Sequence, residues 1–321
     1  MKKWVCNCLM KTILAALQMC WMFALAADAF ASDAFPFCKK YSPVKELNGV
    51  AHSYACPTLF DWNGDGLLDL IVGEITADCK GKVRIYLNRG TPTSPDFADF
   101  AYLQKNGRDV EFSAKGCVGL QVSFGKIGDA TMFLSTSNGK IYAWNPHARK
   151  PGSDEQIDFD LWFDHSSDER FSRLIRSCTF CFDIDCDGRD ELLVSGQKSP
   201  MFWLKRTGEG NDAHVECSNV QDGVGMFLRY PEGQSHASAV VLDVTGDGVP
   251  DIVTGDTTGN VWTYFGLGTE RFSAIPVMIY ENADKENLRS RLGVGDLDGD
   301  GIAEILVGRQ NGSVLMLKAI P

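Results

Sequence analysis

Short apolar runs separated by turns rich in glycine and aspartate recur along most of this chain. Residues 239–242 form one such run, residues 252–254 form the next, and residues 260–265 alternate between apolar and polar side chains after a further glycine turn. Runs of this length, rich in β-branched and aromatic residues, predict strands joined as hairpins. A fourth, outer strand is predicted at residues 272–280. The helical period of 3.6 residues is confined to the N-terminus.

Four nine-residue loops between predicted strands repeat one pattern of oxygen-bearing side chains. The loops are residues 61–69, 183–191, 243–251 and 296–304. Each has Asp, Asn, Thr or Glu at loop positions 1, 3, 5 and 9, and Gly at position 6. A hard cation such as calcium requires oxygen ligands of this kind, whereas magnesium prefers fewer protein ligands. The alternative is a set of turns without an ion, which is less favourable because converging carboxylates would repel one another.

The predicted calcium ligands are the side chains at these four positions and the backbone carbonyl at position 7. The side-chain ligands are Asp61, Asn63, Asp65, Asp69, Asp183, Asp185, Asp187, Glu191, Asp243, Thr245, Asp247, Asp251, Asp296, Asp298, Asp300 and Glu304. The carbonyl ligands are those of Leu67, Arg189, Val249 and Ile302. We expect structural ions that join two strands of one repeat, bound most tightly by the two loops with four carboxylates, residues 183–191 and 296–304.

The loops also define a structural repeat. They begin at residues 61, 183, 243 and 296, and the first gap is about twice as long as the later ones. A degraded repeat therefore lies between the first two loops, in residues 122–134 and 138–144, and Asp129 is its one remaining potential ligand. The chain is thus predicted to contain five repeats and four metal loops.

Four strands in a repeat of about 60 residues are typical of one β-propeller blade. We predict an all-β, five-bladed β-propeller of four-stranded blades. The last repeat ends without an outer strand, and residues 41–47 precede the first inner strand. This N-terminal strand is therefore expected to close the ring, since the alternative, an open array of hairpins, would leave strand edges exposed.

The loops and their flanking strands resemble the FG-GAP and VCBS repeats, which occur in integrin α-chain propellers and in many bacterial extracellular proteins. Residues 295–301 followed by 305–308 match the pattern best, and the second repeat matches it poorly. The resemblance implies a propeller fold with bound calcium. It does not identify an activity, because one fold supports many functions.

Residues 1–31 have the features of a secretory signal peptide, and residues 32–321 are predicted to form a single propeller domain. A basic start is followed by an apolar stretch at residues 13–26 and by small residues at a suitable cleavage site. The alternative is a membrane anchor, but the apolar stretch is short for that role. We expect a secreted or periplasmic protein that does not span a membrane after cleavage.

The formal net charge is −11, and the metal loops account for much of this acidity. Nucleic acids and anionic membranes attract positive charge, so neither is an expected partner. An even number of cysteines, eight, follows the leader, which predicts structural disulfides or buried thiols in an exported chain. They are Cys38, Cys56, Cys79, Cys117, Cys178, Cys181, Cys186 and Cys217.

Two sets of side chains are candidates for ligand binding. Arg176, His236, Arg289 and Arg291 precede predicted inner strands at equivalent positions, so they should cluster at one mouth of the central channel. They suit a carboxylate or sulfate, unless they pair with neighbouring acidic residues. Tryptophans near blade strands could stack on sugars, although inter-blade packing is their commoner role. They are Trp62, Trp144, Trp162, Trp203 and Trp262.

The sequence contains none of the nucleophile or phosphate-binding motifs that would indicate an enzyme class. We therefore predict a monomeric calcium-binding module for an extracellular glycan or protein. The alternative is a carbohydrate-active enzyme, a polysaccharide lyase or glycoside hydrolase at the channel mouth, with Glu74 and Asp256 as candidate carboxylates. A purely structural module is the third class.

Overall fold

The computed structural model describes most of the chain that follows the leader. The described residues are 38–47, 49–105, 107–113, 120–136, 139–144, 160–164, 175–197, 200–208, 212–228, 230, 238–268 and 270–320. The chain divides after Cys38 into two units, and the strands described below all lie in the second unit, Lys39–Pro321. The predicted signal peptide, residues 1–31, lies outside the described residues.

Five of the sheets are built on four antiparallel strands each and are arranged as the blades of a β-propeller, and two further sheets are two-stranded. Strand β1 (Lys40–Leu47) comes first and belongs to the last blade. Blade 1 contains β2 (Cys56–Phe60), β3 (Asp69–Ile75), β4 (Lys80–Tyr86) and β5 (Phe100–Tyr102). It is followed by a short hairpin of β6 (Gln104–Lys105) and β7 (Arg108–Asp109) and by β8 (Phe112–Ser113), which also pairs with β4.

The remaining blades follow in chain order. Blade 2 contains β9 (Gln121–Ile127), β10 (Ala130–Ser135), β11 (Lys140–Trp144) and β12 (Asp160–Asp164). Blade 3 contains β13 (Ile175–Phe182), β14 (Glu191–Gln197), β15 (Phe202–Thr207) and β16 (His214–Asn219), and β17 (Gln221–Asp222) comes after it. Blade 4 contains β18 (Ser238–Leu242), β19 (Asp251–Gly255), β20 (Val261–Tyr264) and β22 (Val277–Tyr280), with β21 (Arg271–Phe272) before its last strand. Blade 5 contains β23 (Arg291–Gly295), β24 (Glu304–Gly308), β25 (Val314–Ile320) and β1.

The predicted ring closure is confirmed. Strand β1 pairs antiparallel with β25, from Tyr41 opposite Ala319 to Leu47 opposite Val314. The innermost strands β2, β9, β13, β18 and β23 each contact the next, and β23 contacts β2 again. The N-terminal strand thus completes the last blade, as the residue count predicted.

Apolar clusters between neighbouring blades hold the ring together. One cluster joins blades 5 and 1, and others join blades 1 and 2, blades 2 and 3, and blades 3 and 4. Glycines in the second strands permit the close approach of adjacent blades. A Cβ on Gly73 would lie 1.6 Å from the Leu120 carbonyl oxygen, and one on Gly308 would lie 2.0 Å from that of Ala55. Each backbone carbonyl lies just before the inner strand of the next blade, so a side chain here would push the blades apart.

The outer strand predicted at residues 272–280 is shorter than expected. Only Val277–Tyr280 pairs with β20, whereas Arg271–Phe272 pairs in parallel with β17. Pro276 stands between the two segments and lacks the backbone N–H that a continuous ladder would need. The described residues contain strands and turns but no α-helix, and hence no helix long and apolar enough to cross a membrane.

Candidate functional site

The four predicted metal loops share one backbone conformation. They are named loop 1 (61–69), loop 2 (183–191), loop 3 (243–251) and loop 4 (296–304), and each joins the first two strands of its blade. In every loop the carboxylate at position 1 accepts the backbone N–H of the glycine at position 6, at 2.8–2.9 Å. The four glycines have φ between +83° and +86°, a conformation that favours glycine. The repeat pattern therefore encodes the turn.

The carboxylate at position 9 is buried in all four loops. Asp69, Glu191, Asp251 and Glu304 are each at most 2% exposed. Each accepts the backbone N–H of position 2 at 2.8–3.1 Å. Burial raises the pKa of Asp251 to about 6 and that of Glu191 to about 7, and it also raises the pKa values of Asp69 and Glu304. A cation at the loop would favour the ionised form of these groups.

The four loops are of two kinds, which differ in the contact made by the second carboxylate oxygen of the residue at position 9. In loops 1 and 3 this oxygen accepts a backbone N–H, from Asn88 at 2.7 Å and from Gly266 at 2.8 Å. In loops 2 and 4 it faces a lysine ammonium group instead. Lys205 Nζ lies 3.4 Å from Glu191 Oε1, and Lys318 Nζ lies 3.6 Å from Glu304 Oε1. These are ion pairs without hydrogen-bond geometry, since both glutamate oxygens are buried and lack a hydrogen-bond donor.

The same lysines contact the carboxylates at positions 3 and 5. Lys205 is paired with Asp185 and lies 3.4 Å from Asp187 Oδ2, and Lys318 is paired with Asp298 and lies 2.7 Å from Asp300 Oδ2. These contacts raise the pKa of both lysines, so the ammonium forms are stabilised. Neither lysine was predicted from the sequence. The available signal was a lysine at the same distance after the glutamate of each Glu-ended loop.

The donor set fits calcium to different degrees in the two kinds of loop. Loops 1 and 3 present three carboxylates each and the oxygens of Asn63 and Thr245, and Lys39 Nζ approaches the backbone of loop 3 at Gly246. In loop 2, oxygens of Asp183, Asp185 and Glu191 lie within 4.8 Å of one another, and Asp296, Asp298 and Asp300 are grouped in the same way in loop 4. In these two loops the carboxylates already surround an ammonium group.

The four basic residues predicted at the channel mouth do not share one environment. Arg176 and Arg289 have left-handed backbones, with φ of +61° and +71°, as does Tyr54 at the equivalent position of blade 1. The Arg289 guanidinium lies over the Tyr54 ring at 5.3 Å, a cation–π contact. His236 lies outside the described residues. The loops leave the opposite ends of the inner strands, so the arginines and the metal loops belong to opposite faces of the ring.

Arg291 is buried inside the channel rather than exposed at its mouth. Its side chain starts on β23 and its Nη1 donates to Cys178 Sγ on β13 at 2.7 Å, although β18 lies between these strands in the ring. The residue is 3% exposed, and Nη2 has no hydrogen-bond partner. Among the described residues no carboxylate pairs with this guanidinium, which leaves a buried positive charge in the channel.

The described cysteines do not form the predicted disulfides. Seven of the eight lie within the described residues, and no disulfide joins any two of them. Cys117 lies outside the described residues. Burial raises the pKa values of Cys178 and Cys181, so both favour the neutral thiol, as buried structural cysteines do.

The candidate carboxylates of the enzyme alternative have structural contacts. Glu74 is fully buried and forms a bidentate ion pair with Arg84, with distances of 3.0 and 2.9 Å. Asp256 is also buried and accepts the Thr258 and Asn260 backbone N–H groups and the Trp262 indole N–H, at 2.8–2.9 Å. Both carboxylates are thus fixed by neighbouring donors on separate blades.

The tryptophans differ in their surroundings. Trp203 is core, at 3% exposure, and Trp62 packs against Trp144 at 6.2 Å between blades 1 and 2. Trp162 contacts the core residue Phe133 edge to face at 5.2 Å and is itself half-buried. Trp144 and Trp162 also line a groove between blades 2 and 3, which encloses about 460 Å³.

The groove lies where blade 2 lacks a metal loop. Ile127 pairs directly with Ala130 around a two-residue turn, Gly128 and Asp129, whereas the other blades place eight residues in this connection. Arg206 of β15 extends over this turn, and a Cβ on Gly128 would lie 1.6 Å from its Nη1. The other polar lining residues are Asp129 and His214. Within the part of the chain that the structure describes, the guanidinium of Arg206 has no hydrogen bond or ion pair.

Comparison with protein families supports the repeat. The family model of the FG-GAP-like repeat matches residues 243–307, which include loops 3 and 4. This match confirms the resemblance to FG-GAP repeats. No curated protein matches the sequence.

Chains in several solved structures are similar to this chain. In a crystal structure of BBS1N in complex with ARL6DN soaked with mercury, identity is 15%, coverage is 88% of this chain and 98% of that chain, and the TM-score is 0.41. In the lead-soaked crystal of the same complex, identity is 13%, coverage is 87% of this chain and 97% of that chain, and the TM-score is 0.38. In a structure of S. cerevisiae Dbp5 bound to Nup159, Gle1, IP6 and ADP, identity is 10%, coverage is 87% of this chain and 95% of that chain, and the TM-score is 0.30.

Proposed function

We propose that this chain is an exported, calcium-stabilised β-propeller that binds a saccharide in the groove between blades 2 and 3. The propeller and its FG-GAP-like repeat support a binding module in general. The groove supports the more specific assignment. Its volume of about 460 Å³ is within the range of small-ligand sites, which combine apolar walls with a few placed polar groups.

The chemistry of the groove suits a sugar that carries an acidic group. Trp144, Trp162 and Leu161 provide apolar surface, and Leu161 is 49% exposed. The faces of aromatic rings pack well against the C–H faces of pyranose rings. Arg206 can pair with a carboxylate through two parallel N–H donors, and His214 lies on the same wall. A uronate-bearing oligosaccharide therefore matches the groove better than a neutral one.

The calcium and export parts of the proposal rest on sequence features together with the loop geometry. The four loops offer the predicted side-chain oxygens, and buried carboxylates at position 9 require compensation. Residues 1–31 have signal-peptide features, and export would place the protein where calcium is abundant and polysaccharides occur. Loop 2 borders the groove, since its Asp190 carboxylate accepts the Lys126 backbone N–H beside the lining residue Ile127. None of the predicted calcium ligands lines the groove, so the proposed calcium is structural rather than part of ligand binding.

Binding of the purified protein to an array of neutral and uronate-bearing oligosaccharides, in calcium buffer, tests the groove. Trp162→Leu and Arg206→Gln should each weaken binding about tenfold or more, since each removes one of the two main contacts. Phe227→Ala is the matched control, because Phe227 is an aromatic residue at 50% exposure that does not line the groove. Equal binding by all three variants, or no saturable binding to any saccharide, would refute the assignment.

The channel is a second candidate site, for a small anion. Arg291 carries a buried charge and a donor without a partner, and Arg176 and Arg289 lie at the start of the inner strands. A carboxylate or sulfate that entered the channel would satisfy Nη2 of Arg291. This candidate retains the predicted set Arg176, His236, Arg289 and Arg291 and is tested separately below.

A further inference from the structure

In both loops that end in glutamate, a lysine ammonium pairs with the loop carboxylates. At loop 3, which ends in aspartate, Lys39 Nζ lies 3.7 Å from the position of a Cβ on Gly246. Strand pairing sets Leu192 opposite Leu204 in blade 3 and Ile305 opposite Leu317 in blade 5, which places Lys205 beside Glu191 and Lys318 beside Glu304. The residues in the corresponding places of blades 1 and 4 are Leu87 and Phe265, beside Asp69 and Asp251. Both glutamate loops therefore have a lysine partner, and both aspartate loops have an apolar one.

We propose that Lys205 and Lys318 are internal cations that take the metal position of loops 2 and 4, so that loops 1 and 3 are the principal calcium sites. This inference rests on the proposed calcium binding. It reverses the expectation from sequence that loops 2 and 4, with four carboxylates each, bind calcium most tightly.

Charge balance supports this division. Position 3 is neutral in loops 1 and 3, where it is Asn63 or Thr245, and is an aspartate in loops 2 and 4. The lysine thus offsets the additional carboxylate, and all four loops have the same net charge once it is counted. The extra aspartates of loops 2 and 4 consequently give calcium no greater attraction.

Geometry makes the lysine a competitor of the ion. Calcium lies 2.3–2.6 Å from its oxygen ligands. The ammonium groups of Lys205 and Lys318 already contact the oxygens of positions 3, 5 and 9. An ion coordinated by those oxygens would have to displace the ammonium. The two side chains are 33% and 27% exposed, so they have a route to solvent, but leaving breaks three ion pairs.

Calcium titration of the full protein tests the division, with ion counting by native mass spectrometry. The wild type should bind two ions tightly. Lys205→Met and Lys318→Met should each add one tight site, with affinity for that loop increased about tenfold or more. Lys140→Met is the matched control, because Lys140 is a half-buried strand lysine on the blade without a metal loop. It should leave the ion count unchanged.

A second measurement does not depend on the ion. In excess chelator, Lys205→Met should melt at a lower temperature than the wild type, because the loop 2 carboxylates then repel one another without a cation. Added calcium should remove this deficit. Four equal sites in the wild type, or a Lys205→Met variant as stable as the wild type in chelator, would overturn the inference. Absence of calcium from every variant would refute the proposed calcium binding, and the chelator measurement would still decide the role of the lysines.

Discussion

The ion pair between Glu74 and Arg84 offers a direct test of whether Glu74 is structural. Glu74 is fully buried, and it accepts the Arg84 Nε–H at 3.0 Å, the Tyr102 hydroxyl at 2.9 Å and the His52 backbone N–H. The Arg84 guanidinium also lies 4.3 Å from the centre of the Phe100 ring. Arg84→Met retains much of the side-chain stem but leaves a buried carboxylate without its cation.

Breaking a buried ion pair from one side costs about 3–5 kcal/mol of unfolding free energy. We expect Arg84→Met to lie in this range, measured by urea unfolding with tryptophan fluorescence. The double variant Glu74→Met with Arg84→Met should recover part of the loss, because the unpaired charge is gone. Its recovery should be incomplete, since the Tyr102 hydroxyl and the His52 N–H lose their acceptor at about 1–3 kcal/mol each.

The control is a surface pair on the same blade. Arg89 and Asp99 lie 3.3 Å apart, with side chains 64% and 75% exposed. Such pairs contribute about 0–1 kcal/mol, so Arg89→Met should change stability little. A loss below about 1 kcal/mol for Arg84→Met would contradict the structural role of Glu74 and return it to the candidate carboxylates of the enzyme alternative.

Four further outcomes follow from the contacts of the metal loops, the channel and the groove. Chelation should lower the melting temperature, because an ion bound only by the native state stabilises it; a melting temperature indifferent to chelator would refute this. The decrease in melting temperature on chelation should become smaller as pH falls from about 7.5 to about 5. The pKa of Asp251 is raised to about 6, so below that pH protons compete with calcium for this carboxylate, and its protonation stabilises the ion-free fold. Arg291→Met should be neutral or stabilising in the absence of anions and should abolish any rise in melting temperature caused by sulfate, whereas an equal rise in the variant would exclude an anion at Arg291. Saccharide binding should strengthen as pH falls from about 8 to about 6, because the Asp212 carbonyl and then Glu216 raise the pKa of His214, which gains positive charge; a flat profile would remove His214 from the site.

The repeat architecture was predictable because its determinants are local. Positions 1 and 6 of each loop, such as Asp61 and Gly66, form a hydrogen bond within one turn, so the sequence pattern and the turn correspond directly. The closing strand followed from the number of repeats and the position of residues 41–47. The outer strand of blade 4 was harder to predict, because Pro276 divides a continuous β-like run into two segments that pair with different strands.

The candidate sites were less predictable because they depend on contacts between repeats. Alignment of the repeats placed Arg291 at a channel mouth, but its long side chain is buried and reaches Cys178 on a strand that is not adjacent in the ring. The groove could not be identified from any one repeat, since Trp162 and Arg206 belong to different blades. Lys205 lies outside its loop in the sequence, and only the pairing of β14 with β15 places it beside Glu191, the last residue of loop 2.

The blades of this ring differ chemically from one another where their sequences depart from the repeat. Five blades with identical loops would present identical edges, and none would provide a distinct binding site. In blade 2 the short turn at Gly128 leaves open the space that a nine-residue loop would occupy, and Arg206 of blade 3 extends into it. The lack of a nine-residue loop and the presence of a groove therefore belong to the same connection of blade 2. The groove combines shape, aromatic surface and a guanidinium without a described partner, at the one inner connection among the five blades that departs from the nine-residue loop, and these features favour it as the ligand site.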